Sequence, residues 1–334
     1  MKNRVVLILF ILLFFGCDGG YSGNEDEMST SISSDSFGDD DTTNCPSSGC
    51  MFVVVGESGI SLTLTDGISW TTSNSGIGNA KNDVGFGENM FIAVGPGSVN
   101  LHYSFNGNNW NYGSVPTGQT LNELIYGKDR FVSVGDSGTI ITSPDGLTWT
   151  LRTSGTSNNL YGITYGNNKF ISVGFGGILL ISSNGINWES KHSGGSSEGL
   201  YGISYGNNIY VIVGDYGVIR TSSDGNTWTT RSSGTSKNLR SITFDNNQFI
   251  TVGESGTTLT SSDGISWNSQ NLTSTGPPMI YLYDVTYGNN LFVIVGESER
   301  IFYSSDGISW LERNYSKNYQ LNSAKNLKGI IYSK

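Results

Sequence analysis

The sequence contains few charged residues, few prolines and almost no histidine. Only 14% of its 334 residues are charged, and it has 6 prolines, 3 cysteines and 2 histidines. The histidines, His102 and His192, lie far apart in the chain, so neither a histidine-rich metal site nor a Ser/His/Asp triad has support. No long stretch carries the helical period, which favours an all-β chain of short strands joined by tight turns.

The chain also lacks a basic stripe. From Met51 onward it has 20 acidic and 16 basic residues. Binding to nucleic acid requires clustered lysine or arginine that neutralises phosphates, so we expect no nucleic-acid partner.

Long hydrophobic runs are scarce, and the one at the start of the chain is too short to span a bilayer. It extends from Val5 to Phe15, after Lys2 and Arg4, as in a signal peptide. Gly16 and Cys17 follow directly, and this arrangement resembles a bacterial lipoprotein signal, in which the cysteine after a small residue becomes lipidated. An ordinary signal peptide cleaved elsewhere is the alternative.

Three segments follow from this interpretation: a lipoprotein signal peptide at 1–16, an acidic tether at 17–50 and a folded body at 51–334. The tether has few apolar residues, so we expect it to be disordered. Cys45 and Cys50 could form a small disulfide in an oxidising compartment, and no further ligands for a metal lie nearby.

Seven tryptophans reveal an internal repeat. Each stands four residues after an Asp or Asn that Gly follows, and successive tryptophans are 40, 39, 39, 40, 39 and 43 residues apart. A period near 40 predicts stacked units that share a continuous core. The tryptophans are Trp70, Trp110, Trp149, Trp188, Trp228, Trp267 and Trp310.

Each repeat predicts four short strands, but the two ends of the chain are out of phase. The body begins at Met51 in a second strand, and Leu327 to Tyr332 reads as a first strand with no second strand after it. The last strand should therefore complete the N-terminal unit. This predicts an all-β, seven-bladed β-propeller with four-stranded antiparallel blades.

The tryptophan motif, quoted as Ser143-Pro144-Asp145-Gly146-Leu147-Thr148-Trp149, resembles the Asp-box (BNR repeat) of sialidase-type propellers. The resemblance implies a structural hairpin between the third and fourth strands, facing away from any active site. Here Gly follows Asp directly, whereas the family has one residue between them. The residues at the Asp position are Asp66, Asn106, Asp145, Asn184, Asp224, Asp263 and Asp306.

Catalysis is the less favoured class of function. A sialidase needs a set of arginines and a Tyr/Glu pair, whereas the arginines here are scattered over repeat positions and the family's Arg-containing motif is absent. We therefore assign no catalytic residue, metal or cofactor. A glycosidase with paired acids stays open, because sequence does not give the separation of two carboxylates.

One sector of the predicted ring departs from the repeat. Two long blade connections flank the blade between Tyr281 and Trp310, and acidic residues gather on the same face. Aromatic and acidic side chains together suit a glycan or a basic protein segment. The alternative is that the acids only satisfy turn amides. The candidate binding residues are Asp83, Glu123, Tyr281, Tyr283, Asp284, Glu297, Tyr315 and Tyr319.

Together these patterns predict a monomeric lipoprotein of the bacterial cell envelope, facing the periplasm or the cell surface. It would act as a non-catalytic binding or assembly scaffold through one propeller face. The alternative is a glycan-directed lectin or glycosidase of sialidase-like architecture. The partner, a protein or a glycan, is not identified by the sequence.

Overall fold

Within the described residues of the computed structural model, twenty-eight β-strands form seven four-stranded sheets. The structure describes residues 49–65, 69–73, 77–97, 101–194, 197–272, 280–314 and 325–333. Neighbouring strands run antiparallel and follow one another in chain order, except where the last strand joins the first sheet. The prediction of seven four-stranded antiparallel blades is therefore confirmed.

The strands are numbered β1 to β28 in chain order and fall into four positions within a blade. The first strands are β4 (Asp83–Gly87), β8 (Leu121–Gly127), β12 (Leu160–Gly166), β16 (Leu200–Gly206), β20 (Leu239–Asp245), β24 (Leu282–Gly288) and β28 (Leu327–Tyr332). The second strands are β1 (Phe52–Gly56), β5 (Met90–Val94), β9 (Arg130–Gly135), β13 (Lys169–Gly174), β17 (Ile209–Gly214), β21 (Gln248–Gly253) and β25 (Leu291–Gly296).

The outer two strands of each blade are shorter. The third strands are β2 (Ser61–Leu64), β6 (Leu101–Ser104), β10 (Ile140–Ser143), β14 (Ile178–Ser182), β18 (Ile219–Ser222), β22 (Thr257–Ser261) and β26 (Arg300–Ser304). The fourth strands are β3 (Thr71–Thr72), β7 (Asn111–Tyr112), β11 (Thr150–Arg152), β15 (Glu189–His192), β19 (Thr229–Arg231), β23 (Asn268–Asn271) and β27 (Leu311–Asn314). Short 3-10 turns between second and third strands cover Glu57–Gly59, Asp136–Gly138, Asp215–Gly217, Glu254–Gly256 and Glu297–Glu299.

Strand β28 closes the ring, as the phase shift predicts. It pairs with β1 in antiparallel register, with Tyr332 opposite Phe52 and Ile330 opposite Val54. The Ser333 N–H also donates to the Met51 carbonyl at 2.9 Å. Strand β24 of the last blade packs on β28, and β28 packs on β4 of the second blade. The first blade, which contains β28, is therefore joined to both of its neighbours.

Second strands are predominantly apolar because both of their faces are covered. Phe170 and Val132, from adjacent blades, share one buried cluster, whereas Ile171 contributes to the next cluster around the ring. Burial on both faces favours uninterrupted β-branched and aromatic residues over alternation. The core is thus a set of layers between blades, which together hold the first strands around a central channel.

Glycines allow the first strands to approach one another. A Cβ on Gly206 would lie 1.9 Å from Cγ of Phe244 on the next blade, and one on Gly166 would lie 2.2 Å from Cγ of Tyr205. At five of the seven junctions between blades, the aromatic ring that ends a first strand therefore packs on the glycine of the preceding blade. Close packing of this kind leaves no room for a side chain.

The turns between third and fourth strands, here called Trp hairpins, share one hydrogen-bond pattern in the second to seventh blades. In the third blade, Oδ1 of Asp145 accepts the N–H groups of Leu147 and Thr148 at 2.9 and 2.7 Å. These bonds lower the pKa of Asp145 to about 2. Gly146 adopts φ +70°, and Nε1 of Trp149 donates to its carbonyl at 2.9 Å.

The other Trp hairpins vary in how deeply the indole is buried. Trp110 and Trp149 are buried, whereas the remaining five tryptophans are partly exposed. The hairpin of the first blade differs because its indole Nε1 donates to the hydroxyl of Tyr303. Asp66 lies outside the described residues.

The predicted leader also lies outside the described residues, since these begin at Gly49. Cys50 is disulfide-bonded, whereas Cys17 and Cys45 are not described, so its pairing with Cys45 stays a prediction. Within the described part of the chain, no helix is long and apolar enough to cross a membrane.

Candidate functional site

Seven side chains near the start of the first strands surround one end of the channel. They all line a cavity of about 100 Å³. We call this set the mouth ring; in order around the propeller it consists of Lys328, Asn82, Asn122, Tyr161, Tyr201, Arg240 and Tyr283.

Six of the seven reach the cavity from β-bulges. The pairing of first and second strands shifts by one residue between, for example, Leu160 and Gly162, which leaves Tyr161 unpaired. Bulges redirect a side chain away from the regular alternation of a strand. The same shift occurs at Asn122, Tyr201, Arg240, Tyr283 and Lys328.

Acids from the 3-10 turns hold the mouth ring in place. We call Glu57, Asp136, Asp215, Glu254 and Glu297 the turn acids. Asp215 accepts the Tyr201 hydroxyl at 2.8 Å, and Glu254 pairs with Arg240 at 2.6 Å. Asp136 likewise contacts Asn122 at 3.1 Å and Glu57 contacts Lys328 at 3.8 Å, whereas Glu297 accepts the N–H of Tyr281, next to the ring, at 3.3 Å.

Aromatic and cationic side chains alternate along one side of the mouth ring. The Arg240 guanidinium lies 4.3 Å from the ring centre of Tyr201, and Nζ of Lys328 lies 3.4 Å from that of Tyr283. Tyr161 continues this side, with its ring centre 5.3 Å from that of Tyr201. Cation–π contacts of this kind stabilise both partners and present a rigid surface.

Below the mouth ring, three carboxyl groups join neighbouring blades. We call Asp83, Glu123 and Asp284 the channel acids. Asp83 accepts the Leu124 N–H at 2.8 Å, and Glu123 accepts the Ile163 N–H at 2.8 Å. Asp284 accepts the Ile330 N–H at 2.9 Å and the Ser241 hydroxyl at 2.7 Å. In each case one blade supplies the acid and the next supplies the backbone donor.

Burial raises the pKa of all three channel acids. Desolvation raises that of Asp284 to about 6, although its hydrogen bonds act in the opposite direction. The pKa values of Asp83 and Glu123 are also raised, first by burial and then by the neighbouring carboxylates. A cation that entered the channel would relieve this repulsion.

We expect Asp284→Asn to flatten the dependence of stability on pH. Because the folded-state pKa is raised above the unfolded value, the folded protein binds more protons between about pH 4 and pH 6. Stability from Asp284 is therefore greatest at low pH and falls as the pH rises through this interval. Between pH 5 and 7 the wild type should lose about 1 kcal/mol more than the variant.

Urea denaturation of the two proteins at pH 5, 6 and 7 measures this difference. The slope of the free energy of unfolding against pH tests the prediction. The absolute free energy does not, because Asn also alters the hydrogen bond with Ile330. Asp145 serves as a matched control, since its pKa is lowered and Asp145→Asn should leave the slope unchanged above pH 5. Parallel curves for wild type and Asp284→Asn would contradict the assigned shift.

The structure brings some, but not all, of the residues proposed from sequence into the site. Asp83, Glu123, Tyr283 and Asp284 line the same cavity. Tyr281 and Glu297 lie behind Tyr283, and the Tyr281 and Tyr283 rings stack with centres 6.5 Å apart. Tyr315 and Tyr319 lie outside the described residues.

The sequence interpretation missed six members of the mouth ring, all except Tyr283. Asn82, Asn122, Tyr161, Tyr201 and Arg240 stand at the same repeat position as Tyr283, so alignment of the first strands could have found them. Lys328 also occupies this position. Among the turn acids, Asp215 accepts the Gly199 N–H at 2.7 Å as well as the Tyr201 hydroxyl, so it contacts both the backbone and a mouth-ring side chain.

The described residues do not provide a metal site. No group of three or more His, Cys, Asp or Glu side chains among them has the geometry to hold a metal ion. His102 is buried against Tyr112, and burial lowers its pKa to about 4. Its position in the second blade, away from the mouth ring, gives it no place in the site.

Comparison with known proteins supports the same architecture. Residues 186–326 match a family model described as the DUF6242 beta propeller domain. The chain is a seven-bladed β-propeller. No curated protein matches its sequence.

Several solved structures share the fold at low identity. YCF48 from Cyanidioschyzon merolae is 17% identical with a TM-score of 0.61, over 78% of this chain and 92% of that one. A structure of YCF48 bound to D1 peptide is 15% identical with a TM-score of 0.59, over 76% and 90%. Virginiamycin B lyase from Staphylococcus aureus is 12% identical with a TM-score of 0.64, over 76% and 94%. At such identities the likeness extends to the fold alone.

Proposed function

We propose that this propeller is a non-catalytic binding scaffold that recognises a basic segment of another protein at the mouth ring. One observation carries the proposal: six bulges direct large or polar side chains into a single opening, and turn acids of the same blades fix several of them. Rigid aromatic anchors that are held by a second layer of contacts are typical of binding surfaces.

The balance of charge favours a basic partner. Arg240 and Lys328 are the cations of the mouth ring, and each pairs with a turn acid of its own blade. The five turn acids and three channel acids outnumber them. A lysine or arginine side chain of the partner could approach the channel acids, and its charge would favour their ionised forms.

The shared fold gives limited support to this proposal. YCF48 is described bound to a D1 peptide, so the propeller architecture can present a peptide-binding surface. At 15% identity, the position of the peptide-binding surface of YCF48 is not transferred to this chain.

Lipid anchoring at Cys17 belongs to the same proposal. The signal-like segment would place the propeller in the bacterial cell envelope on the tether, at the periplasmic side or the surface, and the Asp-box resemblance would make the Trp hairpins structural. Metabolic labelling with an alkyne fatty acid should mark the wild type and leave Cys17→Ser unlabelled. Equal labelling of both would contradict the anchor without affecting the mouth ring.

Selection from a displayed library of random peptides tests recognition at the mouth ring. We expect the purified body to enrich peptides that contain Lys or Arg beside aromatic residues. The double variant Tyr201→Ala/Tyr283→Ala should bind the selected peptides at least about tenfold more weakly, since each aromatic anchor contributes about 1–2 kcal/mol. The matched variant Phe105→Ala/Tyr112→Ala removes two exposed rings from the second blade and should bind normally.

Two outcomes would contradict the proposal. One is enrichment that both double variants retain, and the other is enrichment of acidic peptides. Thermal melting of all proteins separates loss of binding from loss of folding.

A glycan-directed function is the second candidate, and the channel acids favour it. Glycosidases use carboxyl groups with raised pKa as general acids, often beneath aromatic side chains that stack on sugars. Against this role, each channel acid already accepts a backbone N–H from the next blade. Hydrolysis of fluorogenic glycosides that Glu123→Gln abolishes would favour a glycosidase, and tight binding on a glycan array would favour a lectin.

A further inference from the structure

A second, larger cavity lies at the opposite end of the channel. Its volume is about 590 Å³, against about 100 Å³ at the mouth ring. The lining residues come from the ends of first strands and the turns that follow them. Clefts of 300–1,000 Å³ are typical sizes for small-molecule sites.

Four aromatic rings form the wall of this cavity. Phe86, Tyr126, Tyr287 and Tyr332 contribute them, from four different blades. In the structure each ring does pack on the second strand of its blade, with Tyr126 and Phe131 centred 4.8 Å apart, yet all four rings stay partly exposed.

The charge of the cavity has one sign. Glu88 and Asp245 line it, and none of its described lining residues is basic. Glu88 accepts the Tyr126 hydroxyl, and Asp245 accepts the Thr243 hydroxyl at 3.0 Å. Burial and then the Glu88 contact raise the pKa of Tyr126 to about 12, which is consistent with a negative potential at this wall.

Asp245 is itself a departure from the repeat. Five of the other first strands carry glycine at this position, and each glycine packs on an aromatic ring of the next blade: Gly87 on Tyr126, Gly127 on Tyr165, Gly166 on Tyr205, Gly206 on Phe244 and Gly288 on Tyr332. A structural requirement therefore favours glycine, whereas Asp245 places a carboxylate beside Tyr287 at the cavity wall.

We propose that this cavity binds a small organic cation, an ammonium or quaternary ammonium compound. Aromatic rings and carboxylates around one cavity attract such a cation through ring electrostatics and direct charge. Its volume fits a ligand larger than a metal ion, and the described residues provide no cluster that would hold a metal. This site is independent of the mouth ring.

Isothermal titration with benzyltrimethylammonium tests the site on the intact protein. We expect saturable binding, weak in absolute terms, and no measurable binding of benzenesulfonate, which is similar in size and opposite in charge. Choline and its neutral isostere 3,3-dimethylbutan-1-ol give a second pair, of which choline alone should bind.

Variants locate the binding within the molecule. Asp245→Asn and Tyr287→Leu should each weaken binding about fivefold, which corresponds to about 1 kcal/mol. The matched change Glu189→Gln removes the same charge from an exposed outer strand and should have no effect. Tyr201→Ala/Tyr283→Ala should also bind normally, because it alters only the mouth ring.

Three results would overturn the proposal: no heat with either cation, binding of the neutral or the anionic probe that equals binding of its matched cation, or unchanged affinity in both cavity variants. Loss of binding in the mouth-ring variant would place the cation at the other end of the channel and would equally contradict it.

Discussion

Deletion of residues 327–334 should abolish cooperative folding of the whole ring. The deletion removes β28, which supplies the hydrogen-bonding partners of β1, and exposes the cluster around the fully buried Leu327. It also opens the ring between β24 and β4, which β28 joins. Circular dichroism and calorimetry should show no single unfolding transition for the truncated body, and a melting temperature equal to that of the wild type would contradict closure.

A circular permutant provides the matched control for this deletion. In this permutant, residues 325–333 are placed before Met51 and an Asn-Asn linker connects the two segments. Strands β28 and β1 then form a hairpin, like the one that pairs Tyr165 with Phe170 in the fourth blade. The asparagine pairs of the other blades adopt positive φ, for example Asn167 at 45° and Asn168 at 58°. We expect this permutant to melt cooperatively, because every strand pair is preserved. Failure of both proteins to fold would show that the chain order itself matters.

Trp149→Ala should be the most destabilising single substitution outside the closing strand. The indole is buried, its ring centre lies 6.3 Å from that of Phe131, and its Nε1 donates to Gly146 at 2.9 Å. Truncation removes this packing and leaves a cavity between two blades. We expect a loss of about 3–5 kcal/mol in the free energy of unfolding.

Trp149→Phe separates packing from hydrogen bonding. Phenylalanine keeps an aromatic ring but removes the Nε1 donor, so we expect a smaller loss of about 1–2 kcal/mol. Urea denaturation of both variants measures the difference. A loss below about 1 kcal/mol for Trp149→Ala would mean that the hairpin relaxes around the deletion and contributes little to blade packing.

The fold was predictable because the repeat constrains it many times over. Seven copies of one pattern predicted the number of strands. The first strand at Leu327, which no second strand follows in the sequence, predicted closure of the ring by pairing with β1. The peripheral exposure of most Trp hairpins was not predictable, since a single repeat does not indicate how far its outer turn lies from the next blade. Trp70 illustrates this, because its partner is Tyr303 of the adjacent blade.

The candidate site was only partly predictable. Acids at repeat positions, such as Asp284, stood out against the glycines of other blades. The mouth ring did not stand out, because its members are chemically diverse. At this repeat position Lys328 and Arg240 are cationic, whereas Tyr201 is aromatic. A bulge is a matter of strand register, and composition does not reveal it. The contact of Asp215 with Tyr201 likewise depends on the turn folding back over the bulge.

Photocrosslinking in cells that make the protein tests most directly whether the mouth ring recognises a basic segment of a partner protein. Benzoylphenylalanine would replace Tyr283 of the mouth ring or, as a control, the exposed Tyr112 of the fourth strand in the second blade. We expect crosslinking from position 283 to one partner, at a peptide rich in lysine or arginine, with little from position 112. Equal crosslinking from both positions, or attachment to an acidic peptide, would contradict recognition of a basic segment at the mouth ring.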